Sequence, residues 1–99
     1  MIKVKVTKEN ISILDHANYD EYGKDIVCAS ASSIVICSVE AISKFDINAI
    51  DINEEINKLE IKINKQDDIT LKLIDNMLTC LKELEKKYPK NIKIIDREE

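Results

Sequence analysis

Apolar and polar residues alternate at the start of the chain, where Ile2, Val4 and Val6 are separated by Lys3, Lys5 and Thr7. A period of two is that of a strand with one dry and one wet face. After Lys8, Glu9 and Asn10 the alternation resumes over 11–16, with Ile11, Ile13 and Asp15 on one side and Ser12, Leu14 and His16 on the other. These two strands are expected to pair as a hairpin. Residues 17–24 have no period, are polar, hold the only glycine, Gly23, and read as a mobile loop.

At Asp25 the pattern changes. Asp is a good helix N-cap, and 26–45 runs through Ala, Ser, Val and Ile, apolar nearly all round, as expected of a helix buried against a sheet. Its β-branched residues lower the intrinsic propensity, so packing has to hold it. Ile50 and Ile52, then Leu59, Ile61 and Ile63, alternate with charged residues and predict two further strands joined through 53–57. Asp68 is placed to cap a second helix. In it Leu71, Ile74, Met77, Leu78, Leu81, Leu84 and Tyr88 recur at steps of three and four until Pro89 forbids continuation. Ile92, Ile94 and Ile95 predict a last strand ahead of an acidic tail at 96–99. The expected order is ββαββαβ. That makes an α+β, two-layer fold, a mostly antiparallel sheet with both helices packed on one face. Without repeats or linkers, 1–99 is expected to be a single domain.

Composition narrows the class. Of the 99 residues 44% are apolar and 34% charged, with one Gly and one Pro, which excludes a disordered or loop-rich chain. Cys28, Cys37 and Cys80 are an odd number without paired spacing, and the first residues form no apolar signal segment, so a reducing cytoplasm is expected. Between Ile26 and Ile42 four serines and Glu40 interrupt the apolar run, so no membrane span is expected. The net charge is −4 and the lysines are scattered, which gives a nucleic-acid surface little support. The chain's acidic charge would suit a basic protein as partner.

A single histidine rules out a multi-histidine metal site, and the cysteine spacings match no zinc pattern, so neither metal nor other cofactor is expected. One glycine cannot build a phosphate loop, and no GxSxG elbow occurs. What remains is Cys28. It lies three residues after Asp25, in the first turn of the helix, where amides and the helix dipole favour a thiolate. His16 stands at the other end of the loop and can meet it when the loop closes. First-turn amides, that of Cys28 included, could then hold an oxyanion. On spacing alone, though, a lone His and a lone Cys are more often fillers of core or surface. Cys37 follows Cys28 by nine residues, about 900° at ~100° per residue, and is expected to be inert core on the opposite side of the helix. Cys80, among Met77, Leu81 and Leu84, reads as a core thiol.

One string is more specific. Asp15-His16-Ala17, then Gly23-Lys24-Asp25-Ile26-Val27-Cys28-Ala29, then Ser30-Ala31-Ser32, resembles the signature of the ribosomal-processing cysteine proteases called Prp, or YsxB-like. The opening Met1-Ile2-Lys3-Val4, the length and the ββα start agree with it. The resemblance implies an α/β homodimer with a mobile loop over its active site. It also implies an endopeptidase that removes a short N-terminal extension from a large-subunit ribosomal protein, number twenty-seven. By position it makes Cys28 the nucleophile and His16 the general base, puts Asp25 and Ser32 beside them as supporting residues, and matches Gly23 to the loop glycine. Tyr19 and Tyr22 would lie in that loop, over a substrate or simply ordering it. The family commonly has Gly before the His, where this chain has Asp15, a residue type that reaches positive φ more readily than most. That departure favours an alternative: a dimeric protein of weak or no activity that binds a ribosomal-protein tail or an assembly partner.

Overall fold

In the computed structural model of the chain, which describes residues 1–17, 19–21 and 24–96, the expected order ββαββαβ is present. Strand β1 (Ile2–Val6) pairs antiparallel with β2 (Asn10–Leu14), Val4 opposite Ile13. The other edge of β2 takes β4 (Lys58–Ile63), which in turn pairs with β3 (Ile50–Glu55). Strand β5 (Ile92–Asp96) lies parallel to β1, so the sheet order is β3-β4-β2-β1-β5 with one parallel pairing.

Alternation decides which face is dry. Ile2, Val4, Val6, Ile11, Ile61 and Ile63 are buried while Lys3, Lys5 and Lys62 are exposed. Helices α1 (Ile26–Phe45) and α2 (Asp68–Lys87) pack against each other over the dry face. The stripe Ile74, Met77, Leu78, Leu81 and Leu84 is the buried side of α2. Burying such side chains at about 1.5–3 kcal/mol each is the main favourable term holding both helices.

Four expectations need correction. First, β3 runs on to Glu55, so only Ile56 and Asn57 form the turn. Asn53, Glu54 and Glu55 are polar because this is an edge strand, and they pair through backbone with Glu60, Leu59 and Lys58. Second, the cap of α2 is Asp67. Its carbonyl already receives the Leu71 N–H at 3.0 Å, which leaves the Thr70 N–H for its side chain at 2.9 Å, and Asp68 falls inside the first turn.

Third, Cys37 is exposed. The geometry expected of it holds, since Cys28 and Cys37 are on opposite sides of α1, but in a two-layer fold only one side of the helix is covered. Val27, Ala31, Val35 and Ile42 are buried, whereas Ile26 and Ile36 on the outward side stay half exposed. Fourth, α1 is by length and mean hydropathy, 1.9, apolar enough to cross a membrane. Serine is only mildly polar, so the surrounding Ile, Val and Ala set the mean. In this fold the helix lies against the sheet and α2.

Candidate active site

Asp25 starts α1 and organises what surrounds it. Its Oδ1 accepts the N–H groups of Val27 and Cys28, both at 3.0 Å. Its Oδ2 accepts those of Tyr19 at 2.9 Å and Asp20 at 3.4 Å. Partial burial pushes this carboxyl up, but the four donating amides outweigh it and hold the pKa below the usual 3.8. One carboxylate therefore caps the helix and ties down the polar loop. It makes no hydrogen bond to His16.

The cap also settles what the first turn can do. The Cys28 amide is spent on Asp25, and that of Ala29 on the Asp25 carbonyl at 3.1 Å. Neither is free for an oxyanion, contrary to expectation. The Cys28 sulfur, half buried, instead receives the N–H of Ala17 at 3.2 Å. A thiolate accepts such a bond more strongly than a thiol does. Ala17 is itself buried and held from its other side, its carbonyl accepting from Asn91 Nδ2 at 3.0 Å.

His16 lies between β2 and Ala17. Strand β2 ends at Leu14, and Asp15 turns the chain with φ 67, in the left-handed region. Asp15, which stands where the resembled family commonly has Gly, thus sits in a conformation that glycine adopts freely. His16 is exposed, and its Nε2 is 2.6 Å from Asn57 Oδ1. Asn57 sits in the β3–β4 turn with φ 61, and its carbonyl accepts the Asp15 N–H at 2.9 Å.

His16, Cys28, Asp25 and Ser32 line one cleft of about 800 Å³, together with Asn57. No hydrogen bond joins His16 to Cys28 among the described residues, and the Ser32 hydroxyl makes none there either. Apolar Ile13, Val35 and Leu59 supply much of the wall. At the rim Asp15, Asp20, Glu54 and Glu55 are set against one lysine, Lys58. The cleft thus joins a thiol and an imidazole to a greasy wall and an acidic mouth.

Tyr19 is not in the cleft. It meets Tyr88, the C-cap of α2, edge to face at 5.3 Å between ring centroids, which anchors the entrance of the loop. Tyr22 and Gly23 lie outside the described residues. The sequence had singled out neither Asn57 nor Asn91. An Asn in a two-residue turn signals positive φ, but nothing local says that its side chain reaches a histidine.

Comparison with known proteins places the chain by family and fold. The family model described as cysteine protease Prp matches residues 1–93. A relative from Staphylococcus aureus, named ribosomal processing cysteine protease Prp, is 36% identical over 103 residues, covering 95% of this chain and 97% of the relative. The crystal structure of Prp from S. aureus with a covalently linked product peptide superposes with a TM-score of 0.91 at 30% identity, covering 98% of this chain and all of that one. The same protein with a substrate peptide superposes at 0.85 and 29% identity, again over 98% of this chain and all of the other.

Proposed function

We propose, since this chain belongs to the cysteine protease Prp family, that Cys28 is its nucleophile and His16 its general base and acid. The chain is a cysteine protease. The observation that carries the assignment is the cleft that holds Cys28, its sulfur receiving the Ala17 N–H, and His16 together.

The reaction is the hydrolysis of a peptide bond in two halves. His16 takes the Cys28 proton, and the sulfur attacks the scissile carbonyl. The C–N bond breaks as His16 passes that proton to the leaving amine, and an acyl thioester remains. His16 next takes a proton from water, the hydroxide attacks the thioester, and the C–S bond breaks to release the new carboxylate and restore the thiol. Asp25 positions the nucleophile's turn, and Ser32 borders the cleft where substrate lies.

The substrate we assign is the N-terminal extension of large-subunit ribosomal protein twenty-seven. Three observations support it: the S. aureus relative is named for ribosomal processing, its structures carry substrate and product peptides, and the mouth of this cleft is acidic where a ribosomal tail is basic. The cytoplasm is the compartment in which such a substrate is made and free Cys28, Cys37 and Cys80 stay reduced. A homodimer fits the outward face of α1, where Ile26, Ile36 and Cys37 are exposed together. Sedimentation of the wild type as a dimer and of Ile26→Glu as a monomer is the expected result.

The reading as a binder without catalysis rested on Asp15. Because Asp15 takes the left-handed conformation and His16 still lines the cleft, that reading has no observation to carry it. The deciding experiment is mass spectrometry of a peptide spanning the extension, incubated with wild type and with Cys28→Ala. Cleavage by wild type and a loss of at least about a thousandfold in Cys28→Ala is expected. A Cys28→Ala protein that cuts as well as wild type ends the proposal.

A further inference from the structure

Catalysis by His16 needs one ring nitrogen turned to the sulfur and the other held. The groups nearest in sequence do not hold it, because Asp25 is occupied by four backbone amides and the Ser32 hydroxyl makes no hydrogen bond to a described residue. The partner comes from 41 residues away: Asn57 Oδ1, 2.6 Å from Nε2.

We infer that Asn57 is the positioning residue of His16, its carboxamide oxygen accepting Nε2–H and leaving Nδ1 to exchange the proton with Cys28. The inference rests on the roles assigned above to His16 and Cys28. A carboxamide oxygen cannot donate, so the nitrogen facing it must carry the hydrogen, and the tautomer follows. The ring is fixed in orientation by the same bond. Cysteine, histidine and asparagine recur in this division of labour on unrelated folds.

The placement of Asn57 is built from backbone. Asn57 is the second residue of the two-residue turn and has φ 61, a left-handed conformation that Asn tolerates better than most residues. From there its carbonyl takes the Asp15 N–H at 2.9 Å, so the residue before His16 and the residue that holds its ring are tied together. The side chain needs to span no gap of its own. It also lines the cleft, on the same wall as His16.

Asn57→Gly removes the oxygen and keeps the conformation, and Asn57→Asp keeps an acceptor in the same place. With the peptide substrate, Asn57→Gly is expected to lower kcat between about ten- and hundredfold with KM within twofold, and Asn57→Asp to recover most of it. Equal kcat in wild type and Asn57→Gly overturns the inference. So does an equal loss in both variants, which would mean that the turn and not the oxygen matters.

The chain has a single histidine, so nitrogen-15 spectra of the ring report on His16 alone. The proton on Nε2 is expected to give a resonance in wild type and to exchange away in Asn57→Gly. Should wild type cut no peptide, the proposed reaction fails by itself and this resonance decides about Asn57. Seen in wild type and lost in Asn57→Gly, it sustains the contact; the same behaviour in both proteins overturns it.

Discussion

The backbone of Asp15 donates to that of Asn57 at 2.9 Å, and these two are the only non-glycine residues with positive φ among those described. The bond joins the end of β2 to the β3–β4 turn immediately before His16. Two conformations that each cost energy are therefore tied together beside the His16 side chain.

That relationship gives the first prediction. Left-handed φ costs a side chain with a Cβ roughly 1–2 kcal/mol, less for Asp than for Ala. Asp15→Ala is expected to lower unfolding free energy by about 1 kcal/mol in urea titration, while Asp15→Gly stays within about 1 kcal/mol of wild type because glycine's looser unfolded chain offsets the relief. Peptide cleavage by Asp15→Gly should match wild type within about threefold. A large loss in that variant would mean that the carboxylate, and not the turn, is required.

A second prediction concerns pH. Loss of the cap in Asp25→Ala should cost about 0.5–2 kcal/mol at neutral pH. The folded pKa of Asp25 is depressed, so its contribution is full above the unfolded value near 3.8 and lost as pH falls through the lower folded one. The stability gap between wild type and Asp25→Ala should therefore narrow only below about 3.8. A gap that closes between pH 5 and 7 would contradict this picture of the carboxylate.

Exposure of Cys37 sets the third. A general alkylating reagent should modify Cys37 readily whatever the state of the site, so total thiol titration does not report on Cys28. In Cys37→Ser, loss of peptide cleavage is expected to run in step with modification at Cys28 by peptide mapping. Full alkylation of Cys28 with cleavage intact would exclude it as nucleophile.

The fourth tests the support of Ala17. Asn91→Ala deletes the donor to the Ala17 carbonyl and should cost about 0.5–1.5 kcal/mol. For a domain of this size that is a fall in Tm of about 4–8 °C per kcal/mol. It should also lower kcat, because the Ala17 N–H is aimed at the Cys28 sulfur from the same segment. A stable variant with unchanged kcat would show that the aim of that N–H is held elsewhere.

Much of the fold could be read locally. The stripe on α2 and the alternation in β1 are periodic signals of burial, and Pro89 ends a helix wherever it stands. The family was legible because the string from Gly23 to Ala29 is specific, and the structure places the Cys28 and His16 it singles out in one cleft. Other features depend on what lies far away in sequence. The side on which α1 is covered, and so the exposure of Cys37, follows from the number of layers. The strand at Asn53–Glu55 is hidden by polar side chains that an edge tolerates. Asn57 and Asn91 reach His16 and Ala17 across 41 and 74 residues, and no pattern in the chain encodes a contact of that kind.

The four-amide grip of Asp25 makes two motions into one. Fraying of the first turn of α1 releases Val27 and Cys28, and lifting of the loop releases Tyr19 and Asp20; either event strips the same carboxylate of half its partners. Opening the entrance to the cleft and loosening the turn that carries Cys28 thus belong to a single cooperative unit. In hydrogen exchange the amides of Tyr19, Val27 and Cys28 would share one opening free energy and leave together, well before the strands beneath them.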